Sequence, residues 1–328
     1  MSQQLTRWGI LGTGRIAREF AEGLTSVPEA KLVAVGSRTQ ASADAFADRF
    51  HVPNRHASYE ALAADHDVDV IYISTPHSLH CENTMLCLSA GKHVLCEKPF
   101  AINAGQAQQM VDAARKHKRF LMEAMWSRFL PSTRAVVDAV KQGEIGEARL
   151  LQADFGFRAE FNPAGRLFNP ELGGGALLDV GVYPISLASM LFGTPDRATG
   201  DAHIGMSGVD EHSAIVLHHE DGRLAVLHTS VSLDTAQEAI LYGTQGHIYM
   251  HSPWWKCPTV SVVRPGKSEE TIEIPITGNG YNYQAVEVGR CLREGLLESP
   301  IMPLDETLSI MKTMDSLRAQ WGLKYPME

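Results

Sequence analysis

Three groups of residues in this 328-residue chain have types and spacings that can do chemistry. The first is Gly12-Thr13-Gly14-Arg15-Ile16-Ala17, a G-x-G-x-x-A run between an apolar segment and a helical pattern. Its first glycine permits a tight turn, its second lets backbone N–H groups approach a pyrophosphate, and its small sixth residue lets helix and strand pack closely. A small-residue turn could carry the same letters. The strand–loop–helix setting makes dinucleotide binding the expectation.

The second group is Ser37-Arg38-Thr39, at the end of the next apolar run. A site for a ribose 2′-hydroxyl places an acid about 20 residues beyond the glycines, and none is present here. Two hydroxyls beside a planar guanidinium suit a 2′-phosphate, so NADP(H) is the expected cofactor, with NAD as the secondary option. The third group is Asp179 and Tyr183, four residues apart and so on one face of an expected helix.

The elements that must position these groups follow from periodicity. Strands are expected at Trp8–Gly12, Lys31–Gly36, Val68–Ser74, His93–Cys96 and Phe120–Met122, alternating with helices. Continuous apolar strands alternating with helices imply a parallel sheet covered on both faces. After Met125 the rhythm changes. A helix at 131–142, a strand at 148–157 and a helix from about 177 to 191 precede a run of strands between 213 and 274 with no helix between them. That run implies a mostly antiparallel sheet, so the expected class is α/β plus α+β: a doubly wound domain over 1–124 and a substrate-binding and dimerisation domain over 125–328. Trp254-Trp255, between Pro253 and Pro258, reads as an exposed turn.

Two further stretches lie just past strands, at the carboxyl ends where doubly wound sheets bind ligands: Thr75-Pro76-His77-Ser78-Leu79-His80 and Cys96-Glu97-Lys98-Pro99-Phe100. With the N-terminal glycine run, the Glu-Lys-Pro triplet resembles the signature of the glucose–fructose oxidoreductase / inositol dehydrogenase (Gfo/Idh/MocA) family. Glu123 to Pro131, Gly174 to Pro184, and Asp315-Ser-Leu-Arg318 with Gly322-Leu-Lys-Tyr325-Pro326 resemble its dihydrodiol and NADP-dependent D-xylose dehydrogenase branch, so the resemblance spans essentially the whole chain.

The resemblance implies an oxidoreductase moving a hydride between nicotinamide and a hydroxyl or carbonyl carbon of a small sugar, polyol or cyclic diol. It gives Lys98 the family's catalytic lysine position, and Tyr183 the place where the wider family more often has histidine. A free tyrosine titrates near about 10, too high for a base at neutral pH, and an adjacent ammonium favours the phenolate. Tyr183 as acid/base tuned by Lys98, or Lys98 as the formal base, both satisfy that chemistry; Asp179 would hold a substrate hydroxyl. Thr75, Pro76, His77, His80, Glu97, Lys98, Trp126 and Arg128 are the expected cofactor contacts beside the glycine run. Trp126, Phe157 and Arg166 join Lys98, Asp179 and Tyr183 around substrate. Two other readings within the family are a redox-neutral glycosidase holding NAD and a non-catalytic NADP sensor. The first is disfavoured by Tyr183 and Arg38, the second by the intact Lys98–Asp179–Tyr183 set.

Composition closes off other classes. The chain is 44% hydrophobic and 20% charged, with net charge −9, so phosphate backbones and anionic lipid are poor partners. No run reaches the ~18–20 consecutive apolar residues of a membrane span. The N-terminus lacks a secretory pattern, and five scattered cysteines suit reduced thiols in the cytoplasm. His77 and His80 lack a third ligand nearby, and His218 and His219 point to opposite faces of a strand, so no metal is expected. The expected partner is a second copy, forming a homodimer through the C-terminal sheet.

Overall fold

A computed structural model of the chain describes residues 5–328. Two compact units form: residues 5–126 with 277–307, and residues 127–276 with 308–328.

In the first unit the elements run β1 (Thr6–Leu11), α1 (Arg15–Leu24), β2 (Ala30–Gly36), α2 (Gln40–Phe50), β3 (Asn54–His56), α3 (Tyr59–Ala63), β4 (Val70–Ile73), α4 (His80–Ser89), β5 (His93–Glu97), α5 (Ala104–His117) and β6 (Leu121–Ala124). The six strands pair in the order β3-β2-β1-β4-β5-β6, all parallel. Ile10, Val35, Ile71, Leu95 and Met122 from five of them are fully buried, as strands covered on both faces must be. Local chemistry sets the helix ends. Asn103 caps α5 by accepting from the Gln106 N–H at 2.8 Å, and Arg115, Lys116 and His117 in its last turn complement the helix dipole. The later segment of this unit ties back through Leu121 N–H, which donates to Leu297 O at 3.1 Å, and Thr307 Oγ1, which donates to the buried Glu123 carboxylate at 3.1 Å.

The second unit contains α6 (Pro131–Lys141), β7 (Ala148–Gly156), α7 (Val182–Phe192), β8 (Arg197–Ile204), β9 (Asp210–His218), β10 (Leu224–Ser230), β11 (Ala239–Gly243), β12 (Gly246–Met250), β13 (Thr259–Val263) and β14 (Glu270–Glu273). The strands pair in the order β14-β13-β12-β11-β7-β10-β9-β8, antiparallel except for the parallel pair β7/β10. Two helices complete the chain, α8 (Asn282–Arg293) in the first unit and α9 (Leu304–Trp321), most of which belongs to the second.

Pro170–Phe192 is long and apolar enough to cross a membrane, against the expectation from consecutive runs. In the fold it is a core segment: every residue of Leu177–Ser189 is buried. The expected single helix over this stretch is also corrected. Leu177–Gly181 is one π-helical turn, and the α-helix begins at Val182.

Candidate active site

In the first unit, the glycine loop is shaped by its neighbours. Gly12 sits at φ +102°, and a Cβ there would lie 2.9 Å from Ser74 Oγ at the end of β4, so only glycine fits. Gly14, the residue before α1, has open space where its Cβ would be. Helix α1 has no side-chain cap and no acid in its first turn, which leaves its first N–H groups and positive dipole end to an anion. A cradle a side chain would fill, beside an uncapped helix N-terminus, fits a dinucleotide pyrophosphate. Thr13 Oγ1 lies 3.4 Å from Ser37 Oγ, so the loop and the end of β2 meet. Arg38 is exposed at that corner, and Thr39 caps α2 by accepting from Ser42 N–H at 3.3 Å.

Further along the same sheet edge, Thr75 is buried and accepts from Asn83 Nδ2 at 3.1 Å, while Pro76 is exposed and His77 half-buried. His80 is 0% exposed, with Nδ1 2.7 Å from Pro99 O and Nε2 3.0 Å from Thr75 O. Burial pushes its pKa down to about 4 against those two carbonyls, and the Lys98 ammonium adds to the lowering. His80, expected as a cofactor contact, is a buried brace between the Thr75 and Pro99 loops. Glu97 is buried too; it accepts from Tyr72 OH and from the Lys98 N–H, the latter at 3.2 Å. Lys98 itself is half-buried, and Glu123 holds the loop that follows by accepting from Phe100 N–H at 3.2 Å. Trp126 stacks on Tyr281 with centroids 4.6 Å apart. Nothing in the periodicity pointed to Tyr281, which arrives from a segment 155 positions later.

In the second unit, Asp179 and Tyr183 are both buried at the π-turn and the start of α7. Such turns recur at functional sites, where they re-aim side chains. Arg166 Nη1 donates to Asp179 Oδ1 at 2.7 Å, so two residues expected around substrate form one ion pair. The Tyr183 ring stands edge-on to Phe155 at 5.1 Å and lies 6.4 Å from Trp255, while Phe155 and Trp255 stack at 3.4 Å. The expected exposed turn at Trp254-Trp255 is therefore wrong. Both rings are buried, and Trp254 Nε1 donates to Asp154 O at 2.7 Å. Trp255 is the neighbour of Tyr183 that sequence reasoning missed; an apolar Trp pair in a proline-rich segment was the available signal. Phe157 is half-buried against the cluster of Phe168, Ala176, Val180 and Val231. Arg128, expected at the cofactor, is 1% exposed and donates to Ser186 Oγ at 2.7 Å and Ser186 O at 2.8 Å, which fastens α7.

A parallel sheet with this glycine loop, joined in one chain to a second unit with a large, mostly antiparallel sheet and a buried aspartate and tyrosine on its π-turn and α7, defines a nicotinamide-dinucleotide oxidoreductase. Residues 6–125 match the oxidoreductase family, NAD-binding Rossmann fold, and residues 133–249 match the GFO/IDH/MocA C-terminal domain. The chain belongs to the Gfo/Idh/MocA family. It is 38% identical to a trans-1,2-dihydrobenzene-1,2-diol dehydrogenase of Xenopus tropicalis, over 98% of this chain and 99% of that protein. The human protein of the same name is 36% identical, over 98% of each. Among solved structures, a 3-ketoreductase from Actinomadura kijaniata in complex with NADP and TDP-benzene matches with TM-score 0.85 and 27% identity, over 96% of this chain and 98% of that one. An aldose-aldose oxidoreductase from Caulobacter crescentus complexed with glycerol matches with TM-score 0.88 and 25% identity, over 95% and 96%.

Proposed function

We propose that this enzyme is an NADP(H)-dependent dehydrogenase acting on a CH–OH group of a cyclic diol or small sugar, with Tyr183 as acid/base and Lys98 assisting it. The observation that carries the reading is the cluster in the second unit: a buried tyrosine one turn from an Arg166-held aspartate, beside a Phe155–Trp255 stack. The bound nicotinamide supplies the hydride acceptor or donor. Tyr183 Oη takes the substrate O–H proton as the C–H bond gives up its electron pair and the C=O bond forms; in reduction it returns that proton. The Lys98 ammonium favours the phenolate form of a group that otherwise titrates near about 10. Asp179 accepts a hydrogen bond from a second substrate hydroxyl, and the aromatic stack keeps water from that side and takes the flat apolar face of a ring.

Ser37, Arg38 and Thr39 bind the 2′-phosphate, which sets NADP(H) over NAD(H). Five thiols, none in a disulfide, suit a cytoplasmic enzyme. One row across the second sheet runs Val216, Val226, Gln152, Ile240 and Tyr249, none of them buried and four of the five apolar or aromatic. A second copy covering that face gives a homodimer, with a sedimentation mass twice the 35.9 kDa chain.

The test follows absorbance at 340 nm with NADP+ or NAD+ against D-xylose, other aldoses and trans-1,2-dihydrobenzene-1,2-diol. NADPH formation should appear with one substrate class and fall by about a hundredfold or more in Tyr183→Phe. Full activity in that variant, or activity with NAD+ alone, would overturn the reading.

A further inference from the structure

No step above uses the segment 315–328, although Arg318 and Tyr325 are both buried in the second unit. Tyr325 is 1% exposed, and its hydroxyl donates to Gly174 O at 2.6 Å. Its placement is fixed twice over. Arg318 lies over the ring at 5.1 Å and forks onto the Glu328 carboxylate at 2.7 and 2.9 Å, and that carboxylate accepts the Tyr325 N–H at 2.8 Å. The Gly173–Gly175 turn that receives the hydroxyl links two site residues. Gly175 N–H donates to Leu167 O at 2.8 Å, next to Arg166, and Gly175 O accepts the Asp179 N–H at 3.2 Å. From the other side Asp210, 0% exposed, accepts the Leu177 N–H at 2.6 Å, and its Oδ1 lies 2.2 Å from where a Gly175 Cβ would be.

Three successive glycines are the least self-ordering backbone a chain can use, with no side chains to pack. Their order must come from such ties, and displacements near 1 Å at a reacting group cost about a hundredfold in rate. We propose that Tyr325, Arg318 and Asp210 are positioning residues: they clamp the Gly173–Gly175 turn and thereby set the Arg166–Asp179 pair and the start of α7 for reaction. This rests on the reading of Asp179 and Tyr183 as the reacting site.

The test uses the full chain with Tyr325→Phe, Asp210→Asn, Asp210→Ala and, as reference, Tyr183→Phe. Kinetics with NADP+ use D-xylose and trans-1,2-dihydrobenzene-1,2-diol as probes, and NADPH affinity comes from fluorescence. Amide hydrogen exchange over 173–183 is followed in the free protein. Tyr325→Phe should raise exchange in that stretch and lower kcat about tenfold, with NADPH affinity unchanged. Asp210→Ala should do the same, whereas Asp210→Asn, which keeps an acceptor for the Leu177 N–H, should recover most of the activity. Unchanged exchange in Tyr325→Phe overturns the clamp, whatever the activity. So does raised exchange with kcat intact, or a loss of kcat that merely follows the unfolded fraction. An active Tyr183→Phe instead overturns the site reading, a result separate from the exchange data.

Discussion

At the scale of one residue, the proposed cofactor choice is tested at Arg38. It is exposed at the end of β2, where nothing acidic competes for a ribose hydroxyl, and the buried Ser37 beside it touches the glycine loop through Thr13. Charge-assisted hydrogen bonds from a guanidinium to phosphate are stronger than neutral ones, and they exist only for the phosphorylated dinucleotide. Arg38→Ala should therefore raise the KM for NADP+ by about ten- to a hundredfold while leaving that for NAD+ within about twofold. Steady-state kinetics with both cofactors check this; a parallel loss with NAD+ would mean that Arg38 serves the fold. Thr39 is less informative alone, since its hydroxyl also caps α2.

Among the elements, α7 bears the most. Its first turn carries Tyr183, and Ser186 three residues on is gripped by the buried Arg128. Removing that guanidinium leaves a buried hydroxyl and carbonyl without it and opens a cavity. Arg128→Ala should cost about 2–4 kcal/mol in chemical denaturation, with NADPH affinity nearly unchanged in the folded fraction. A selective loss of NADPH affinity without loss of stability would restore the cofactor contact first expected there. The same elements mark what the sequence could and could not tell. Strands buried on both faces, such as β4, stand out as unbroken apolar runs, and the spacing of Asp179 and Tyr183 was visible as a helical pair. Strand β8, Arg-Ala-Thr-Gly-Asp-Ala-His-Ile, was not recognised: it is an edge strand with no residue buried, so no alternation of apolar and polar side chains betrays it. The π-turn at Leu177–Gly181 has no compositional mark either. Trp255 and Tyr281 belong to contacts across long sequence separations, which periodicity cannot report.

Over the whole molecule, buried titratable groups respond to acid with opposite signs. In the first, burial pushes His93 down to about 4, with the Arg119 charge adding to it and Asp69 opposing, and His93 Nδ1 accepts the Phe120 N–H at 2.9 Å, which only the neutral ring can do. His80 is likewise lowered to about 4 by burial. Between that value and the unfolded value near 6.5, the unfolded chain binds more protons than the folded one. Stability from both histidines is therefore complete above about pH 6.5 and lost as pH falls towards 4. In the second unit, burial raises Asp210 to about 7, against the backbone N–H of Leu177 and the Arg318 charge. There the folded state binds the extra proton, so its stability is complete below the unfolded value of 3.8 and lost as pH rises through 7. His219 in the second unit is likewise lowered by burial, and, against burial, Asp65, Asp69 and Glu287 are held low by their hydrogen-bond partners, so these groups outweigh Asp210 and the net thermal midpoint should fall on acidification from pH 6.5 to 4. His93 alone should contribute on the order of 2–3 kcal/mol. Calorimetry across that window should find the slope flattened in His93→Asn, whose side-chain oxygen keeps an acceptor for the Phe120 N–H without titrating. Asp210→Asn should steepen it, because the opposing group is gone. Equal slopes in all three proteins would show that neither group changes its proton affinity on folding. A steeper slope in His93→Asn would reverse the sign assigned to it.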